Sequence, residues 1–390
     1  MLGALFFLSL WIVLSAPNLF FLRLAVGAPE ISPFLMMMAA GAIAFVLFFV
    51  IQQKTRHFRH WQLVMAILLV TLLLSSLPLL RWSGAAAQAR ESMAIAFDSP
   101  SRAFHHPAFN WRSFLGGTPG SEVRYQSGIP FASPDGNALT LDIYQPLVAG
   151  NYPAVVTIYG GSWQRGGPAE SEQMGQFLAS RGYVVVAIDY RHAPEHLFPA
   201  QLADVQSGLA FVGDRADEYG IDRDRIALLG WSAGAHLAML AGFQPSKPGV
   251  VQPVAIRGIV DYYGPVDLTA GYFDPPAPDP IDVRQVLVAF LGGTPNDLPE
   301  AYVRASPLTY VKSAAADTLP PTLLIYGGRD HVVEAKFGRG LYEALIASGN
   351  QAVWLKIPWA EHAFDTIFTG VSNQLALHFI EQFLAQTLRG

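Results

Sequence analysis

Residues 226–236 read Ile-Ala-Leu-Leu-Gly-Trp-Ser-Ala-Gly-Ala-His. A short apolar run ends on a glycine, a serine stands between Trp231 and Ala233, and an alanine-rich run continues from Ala233 to Ala241. Apolar runs of this length bounded by glycine favour buried strands, and alanine favours helix. The stretch therefore predicts a strand, a sharp turn and a helix, with Gly230-Trp231-Ser232-Ala233-Gly234 fitting G-x-S-x-G at the turn. Such a turn strains the serine backbone, so small residues must flank it. The Ser232 hydroxyl then projects at the carboxyl edge of a sheet, and the helix N-terminus faces developing negative charge. Glycine and serine are common in turns, so the pentapeptide alone says little. Its place between strand and helix makes Ser232 a candidate nucleophile.

Further β-branched runs flank this turn: Ala154–Tyr159, Val184–Asp189, Ile259–Tyr262, Thr322–Tyr326 and Val353–Ile357. Segments with helical spacing lie between them, including Gln173–Arg181, Leu202–Tyr219, Gly338–Ser348 and Asn373–Leu388. Continuous apolar strands alternating with helices predict a mainly parallel sheet covered on both faces. Ahead of them, Ile129–Ala132 and Leu139–Tyr144 flank Ser-Pro-Asp-Gly-Asn, a turn suited to an antiparallel hairpin. An antiparallel start followed by a doubly wound parallel sheet is an α/β-hydrolase layout, spanning residues 123–390.

A serine is a weak nucleophile without a base, and the base needs an orienting acid. In this layout the chain order is serine, acid, histidine. Three histidines lie beyond the elbow helix: His331, His362 and His378. His362, in Pro-Trp-Ala-Glu-His-Ala-Phe, follows the last strand and is the expected base. His378 falls inside the final helix and reads as a packing or surface residue. Asp330 follows a strand in Tyr-Gly-Gly-Arg-Asp-His and is the expected acid; Asp261 and Asp267 each lie one strand too early. The loop after the first central strand reads Tyr159-Gly160-Gly161-Ser162-Trp163. Glycines there let backbone amides approach a tetrahedral intermediate. The expected oxyanion donors are the amides of Gly161, Ser162 and Ala233, with Gly160 as the fallback. His192 and His196 have i, i+4 spacing, but Pro194 between them argues against a metal pair. His236 reads as a buried, hydrogen-bonded histidine. The tract Tyr272–Pro280, with four prolines, reads as an excursion over the site.

These motifs, with Asp189-Tyr190-Arg191, Ala193-Pro194-Glu195, Phe198-Pro199, Asp204 and Tyr262-Tyr263-Gly264-Pro265, resemble α/β-hydrolase esterases with a His-Gly-Gly-Gly-type oxyanion loop. The resemblance is to hormone-sensitive-lipase-like and feruloyl-esterase-like bacterial carboxylesterases, and it covers residues 125–388. The run Ser232-Ala233-Gly234-Ala235-His236, behind apolar segments, is also similar to prenylcysteine methylesterases. The sequence departs from the pattern at Tyr159, where the loop histidine stands, at Ser162, where the third glycine stands, and at Trp231, where an aspartate is usual. The resemblance implies hydrolysis of a carboxylic ester without cofactor or metal.

Composition divides the chain. Of its 390 residues 52% are hydrophobic and 14% charged, which excludes a disordered chain. A net charge of −5 without a basic run argues against nucleic-acid binding. No cysteine is present, which removes thiolate chemistry, disulfides and thiolate metal sites. Residues 1–80 hold only Arg23, Glu30, Lys54, Arg56 and Arg59 as charged side chains. Apolar stretches at 2–22, 31–51 and 61–80 each approach the ~20 residues of a membrane-crossing helix, which predicts three spans, the first interrupted by Pro17 and Asn18, with two spans plus a re-entrant segment as the alternative. A cleaved signal peptide is disfavoured, because residues 1–10 carry no lysine or arginine. Lys54, Arg56 and Arg59 place the 52–60 loop in the cytoplasm, so the catalytic domain is expected on the extracytoplasmic side. Residues 81–122 read as a juxtamembrane linker whose aromatics, among them Phe97, Phe104, Phe109, Trp111 and Phe114, suit an interface or the face of the following domain.

Three functions fit this reading. The first is a membrane-anchored serine carboxylic ester hydrolase, acting on a small-molecule or lipid-like ester and contacting membrane lipids through its N-terminal spans. The second is amidase, formamidase-like or acyl-transfer chemistry on the same triad. The third, a catalytically dead binding domain, is disfavoured by an intact triad.

Overall fold

Val184-Val-Val-Ala-Ile188 is buried at every position, as a strand covered on both faces must be. In the computed structural model, which describes residues 2–53, 58–97, 109–117, 122–245 and 254–389, it is the fourth of eight strands in one sheet. These are β1 (Arg124–Ala132), β2 (Leu139–Gln145), β3 (Tyr152–Ile158), β4 (Val184–Ile188), β5 (Ile221–Trp231), β6 (Ile256–Tyr262), β7 (Thr322–Gly327) and β8 (Ala352–Ile357). Their order is β1-β2-β4-β3-β5-β6-β7-β8. β1 and β2 are antiparallel, β2 runs antiparallel to β4, and every pair from β4 to β8 is parallel. β3 and β5 are neighbours, but the chain leaves β3 toward β4 on one side and β5 toward β6 on the other. Their following loops diverge and open a crevice at the carboxyl edge of the sheet, where open α/β sheets bind ligands. Gly230, at the end of β5, pairs with Ile158 of β3 and Asp261 of β6.

The N-terminal region departs from the expected three spans. The stretch 2–22 is not one span: it forms α1 (Leu2–Leu10) and the first part of α2 (Leu19–Glu30). Pro17 has no N–H to continue a helix, and Asn18 caps α2 by accepting the Phe21 amide at 3.2 Å. Helices of nine and twelve residues reach only ~14 and ~18 Å, short of the ~30 Å hydrocarbon core. Among the described residues two helices are long and apolar enough to cross a membrane: Ser32–Ile51, within α3 (Ser32–Gln53), and His60–Phe97, within α4 (Phe58–Phe97). Lys54, Arg56 and Phe104, named above, lie outside the described residues.

α1 packs on α4 and α3, whereas α2 and the turn that follows α1 reach the catalytic domain. Arg329, next to Asp330, donates to the carbonyls of Trp11 (3.1 Å), Ile12 (2.7 Å) and Leu14 (2.5 Å), satisfying acceptors left over where α1 ends. Glu30, at the end of α2, is fully buried and accepts the Ser372 amide at 2.7 Å and the Ser372 hydroxyl.

The expected linker also begins differently. Residues 81–97 continue α4, and Ala85, Ala86, Ala89, Met93 and Ala96 form a buried stripe against the domain. Small side chains let the helix approach the sheet edge closely. Ser92 Oγ accepts the outward amide of Trp354 on the edge strand β8 at 2.8 Å, so α4 covers an edge that would otherwise be open. Phe109 and Phe114 pack on the same core.

Candidate active site

β5 ends at Trp231, the helix Ala233–Phe243 begins at once, and Ser232 between them adopts φ 50°, ψ −116°. A non-glycine residue holds that conformation only where the surroundings impose it. Here the Ser232 amide donates to Tyr262 O at 2.9 Å, and its carbonyl accepts the His236 amide at 3.0 Å. A Cβ at Gly234 would strike the carbonyl oxygens of Ile158 and Tyr159, so only glycine lets the helix start this close to β3.

The structure brings Ser232, His362 and Asp330 together from three separate loops. His362 Nε2 lies 3.0 Å from Ser232 Oγ, and His362 Nδ1 lies 2.8 Å from Asp330 Oδ2. A carboxylate only accepts, so Nδ1 carries the proton and Nε2 is left to accept from the serine. The other Asp330 oxygen accepts the amides of Val332 (2.8 Å) and Val333 (2.7 Å), which fixes the carboxylate. Burial works against the His362 imidazolium. Attraction and a hydrogen bond from Asp330, with Glu361 and Asp365 adding to them, outweigh it, and the pKa is raised above the ordinary 6.5. The Tyr263 ring packs on His362 with centroids 4.5 Å apart.

The alternative acids are engaged elsewhere. Asp261 accepts the Gly264 amide and the Tyr326 hydroxyl, each at 2.7 Å, and burial pushes its pKa up to about 7. Asp267 caps the helix Leu268–Phe273 by accepting the Ala270 amide at 3.0 Å. His236 is buried, accepts Trp163 Nε1–H at 3.2 Å and sits 2.6 Å from the Ala305 carbonyl; burial lowers its pKa to about 4. His192 meets the Tyr159 hydroxyl at 2.9 Å, and His196 lies 3.3 Å from Asn137 Nδ2.

In the loop after β3, Gly161, Ser162 and Trp163 have φ of 116°, 58° and 60°. At Gly161 a Cβ would also run into the Arg165 carbonyl. The amides of Gly161 and Ser162 donate to no backbone acceptor among the described residues. Tyr159, where the loop histidine was expected by resemblance, donates to Asp189 Oδ1 at 2.6 Å and stacks on Tyr190.

Sequence reasoning missed Glu361. Its side chain is fully buried and accepts the His331 amide and His331 Nδ1–H, both at 2.6 Å, and the His362 amide at 3.0 Å. That one carboxylate ties the Asp330 loop to the His362 loop, and its hydrogen bond raises the His331 pKa. Its place beside His362 was visible; its partner thirty residues away was not.

The family model BD-FAE matches residues 141–345, which contain the β3 loop, Ser232 and Asp330. The chain belongs to the BD-FAE family. A probable carboxylic ester hydrolase of Mycobacterium tuberculosis, LipM, is 31% identical over 338 residues, covering 80% of this chain and 76% of its own. The isoprenylcysteine alpha-carbonyl methylesterase ICME of Arabidopsis thaliana is 30% identical over 54% of this chain and 51% of its own. Among solved structures, Thermogutta terrifontis esterase 2 phosphonylated by sarin is 26% identical with TM-score 0.55, covering 69% of this chain and 95% of that one. This BD-FAE chain is a carboxylesterase-type hydrolase with the α/β-hydrolase fold.

Proposed function

We propose that the protein is a membrane-anchored serine esterase working through an acyl-enzyme on Ser232, His362 and Asp330. The observation that carries this is the unbroken relay from Ser232 Oγ through His362 to Asp330, at 3.0 and 2.8 Å. Ser232 attacks the acyl carbon as His362 Nε2 takes its proton; the same proton then passes to the departing alcohol. Asp330 holds the imidazole in the needed tautomer and stabilises its charged form. The amides of Gly161, Ser162 and Ala233 stabilise the oxyanion. Water, activated by His362, then releases the acid and restores Ser232. The similarity to Thermogutta terrifontis esterase 2, recorded as phosphonylated by sarin, supports the esterase reading.

Amide cleavage on the same triad is the competing reading. Detergent-purified full-length protein, profiled on aryl acetates, an acyl-chain series, acetylated sugars and N-formyl aromatic amides, is expected to favour esters. A strong preference for the formyl amide would replace this reading with the amidase one.

Membrane anchoring rests on α3 and the first half of α4, whose large apolar side chains stand bare: Phe45 is 62% exposed, Ile51 77% and Leu63 62%. A two-span hairpin also fits the docking of α2, which touches the catalytic domain and must lie on its side of the bilayer. The basic residues of the 52–60 loop then favour the cytoplasm for the loop and the opposite side for the active site. Protease added to spheroplasts is expected to digest the domain after Arg81. Protection until the membrane is broken would reverse the orientation.

A further inference from the structure

Two cavities meet at Ser232, and they reach different groups. The smaller, about 50 Å³, is bounded by Ser162, Ser232 and Ala233 and by the apolar Val266, Pro276 and Leu287. The larger, about 810 Å³, is bounded by Gly161, Ser232 and His362 and, from α2, by Leu22, Arg23 and Val26. His362 borders only the larger one.

That asymmetry sets the direction in which an ester lies. His362 Nε2 hands its proton to the departing alcohol oxygen, so the alcohol half must occupy the cavity that His362 borders. The acyl half, its carbonyl oxygen directed at the amides of Ser162 and Ala233, is left with the small pocket. At about 50 Å³ against about 810 Å³ on the His362 side, it is the acyl half whose size is restricted.

We propose that the protein hydrolyses esters of short acyl groups carried on large amphiphilic alcohols, and that helix α2 is the specificity-determining wall for the alcohol. The proposal deepens the triad reading and rests on it. The chemistry balances: the acyl–Ser232 bond forms as the acyl–alcohol bond breaks, the serine proton leaves with the alcohol, and water releases a short carboxylic acid.

The wall has amphiphilic character of its own. Leu22 and Val26 present apolar surface to the cavity, Arg23 and Arg165 are exposed cations on it, and Leu19 and Phe20 are 46% and 65% exposed at the start of α2. α2 precedes the family match, which starts at residue 141, so the feature belongs to this chain's N-terminal region and not to the matched segment. Glu30 on Ser372 and Arg329 on the end of α1 hold it in place, which makes it a fixed wall.

Dodecyl acetate and methyl tridecanoate test the direction directly. They are isomers of equal hydrophobicity, one with a short acyl and long alcohol, the other reversed. With full-length protein in micelles, kcat/KM is expected to favour dodecyl acetate by about tenfold or more, the scale on which a pocket rejects added methylenes. Equal rates, or preference for methyl tridecanoate, overturn the proposal. If that preference appears and vanishes in Ser232→Ala, the triad reading stands and only this inference falls. If neither isomer nor p-nitrophenyl acetate is hydrolysed, both fall. Leu22→Trp and, on the same face, Val26→Trp test the wall. Each is expected to cut kcat/KM for dodecyl acetate about tenfold more than for ethyl acetate, mainly through KM. Equal losses on both substrates in both variants remove α2 from the site.

Discussion

Replacing Ser232 with alanine is expected to lower turnover of p-nitrophenyl acetate by about 10⁶-fold, the scale seen when a serine hydrolase loses its nucleophile. Labelling by a fluorophosphonate should vanish with it. The fold should survive, because the substitution removes one half-buried hydroxyl and its 3.0 Å contact with His362. A neutral hydrogen bond of that kind contributes about 1 kcal/mol. Alanine keeps the Cβ that the φ of 50° already accommodates, so no new strain enters the turn. Stability and activity are thereby separated in one variant. Labelling at the wild-type rate in folded Ser232→Ala protein would move the nucleophile elsewhere in the chain.

The elements that sequence made legible are those whose signals are local. Ser232 is surrounded within four residues by everything its turn requires: a buried strand behind, Gly234 where no Cβ fits, and an alanine-rich helix ahead. Asp330 and His362 were readable because the loops after β7 and β8 follow the alternation of strands, and alternation is a periodic property of sequence. Glu361 was not, since its role depends on how two loops meet.

Apolar segments were the harder case. A run of leucine, phenylalanine and alanine carries the same signal whether lipid or protein covers it. In 2–22 Pro17 and Asn18 break the helix, Arg329 takes the carbonyls that follow α1, and Glu30 at the far end of α2 meets Ser372. In 81–97 the alanines did carry information. Ala85, Ala86, Ala89 and Ala96 recur at helical spacing and are buried, so the start of the expected linker is helix docked on the domain.

Asp330→Asn is expected to reduce turnover by about 10⁴-fold, if the loss measured for the equivalent change in a chymotrypsin-type triad transfers. The shape is retained, and the amides of Val332 and Val333 can still be accepted by the side-chain oxygen. The amide nitrogen then faces His362 Nδ1 and favours the tautomer protonated at Nε2, which cannot take the serine proton. A second readout distinguishes this from a merely structural defect. His362 must be neutral to act as base, so kcat/KM falls as pH drops through its pKa. In the wild type Asp330 holds that pKa above 6.5 against the opposing effect of burial, which puts the acid limb above pH 6.5. With asparagine the leading source of attraction is gone and burial remains, so the acid limb of the residual activity should move to lower pH. Asp267→Asn, which alters the cap of Leu268–Phe273 and a wall of the small pocket but makes no contact with His362, should leave the limb where it is. Should Asp267→Asn prove the more damaging change, or should the limb stay fixed in Asp330→Asn, Asp330 is not the group that orients His362.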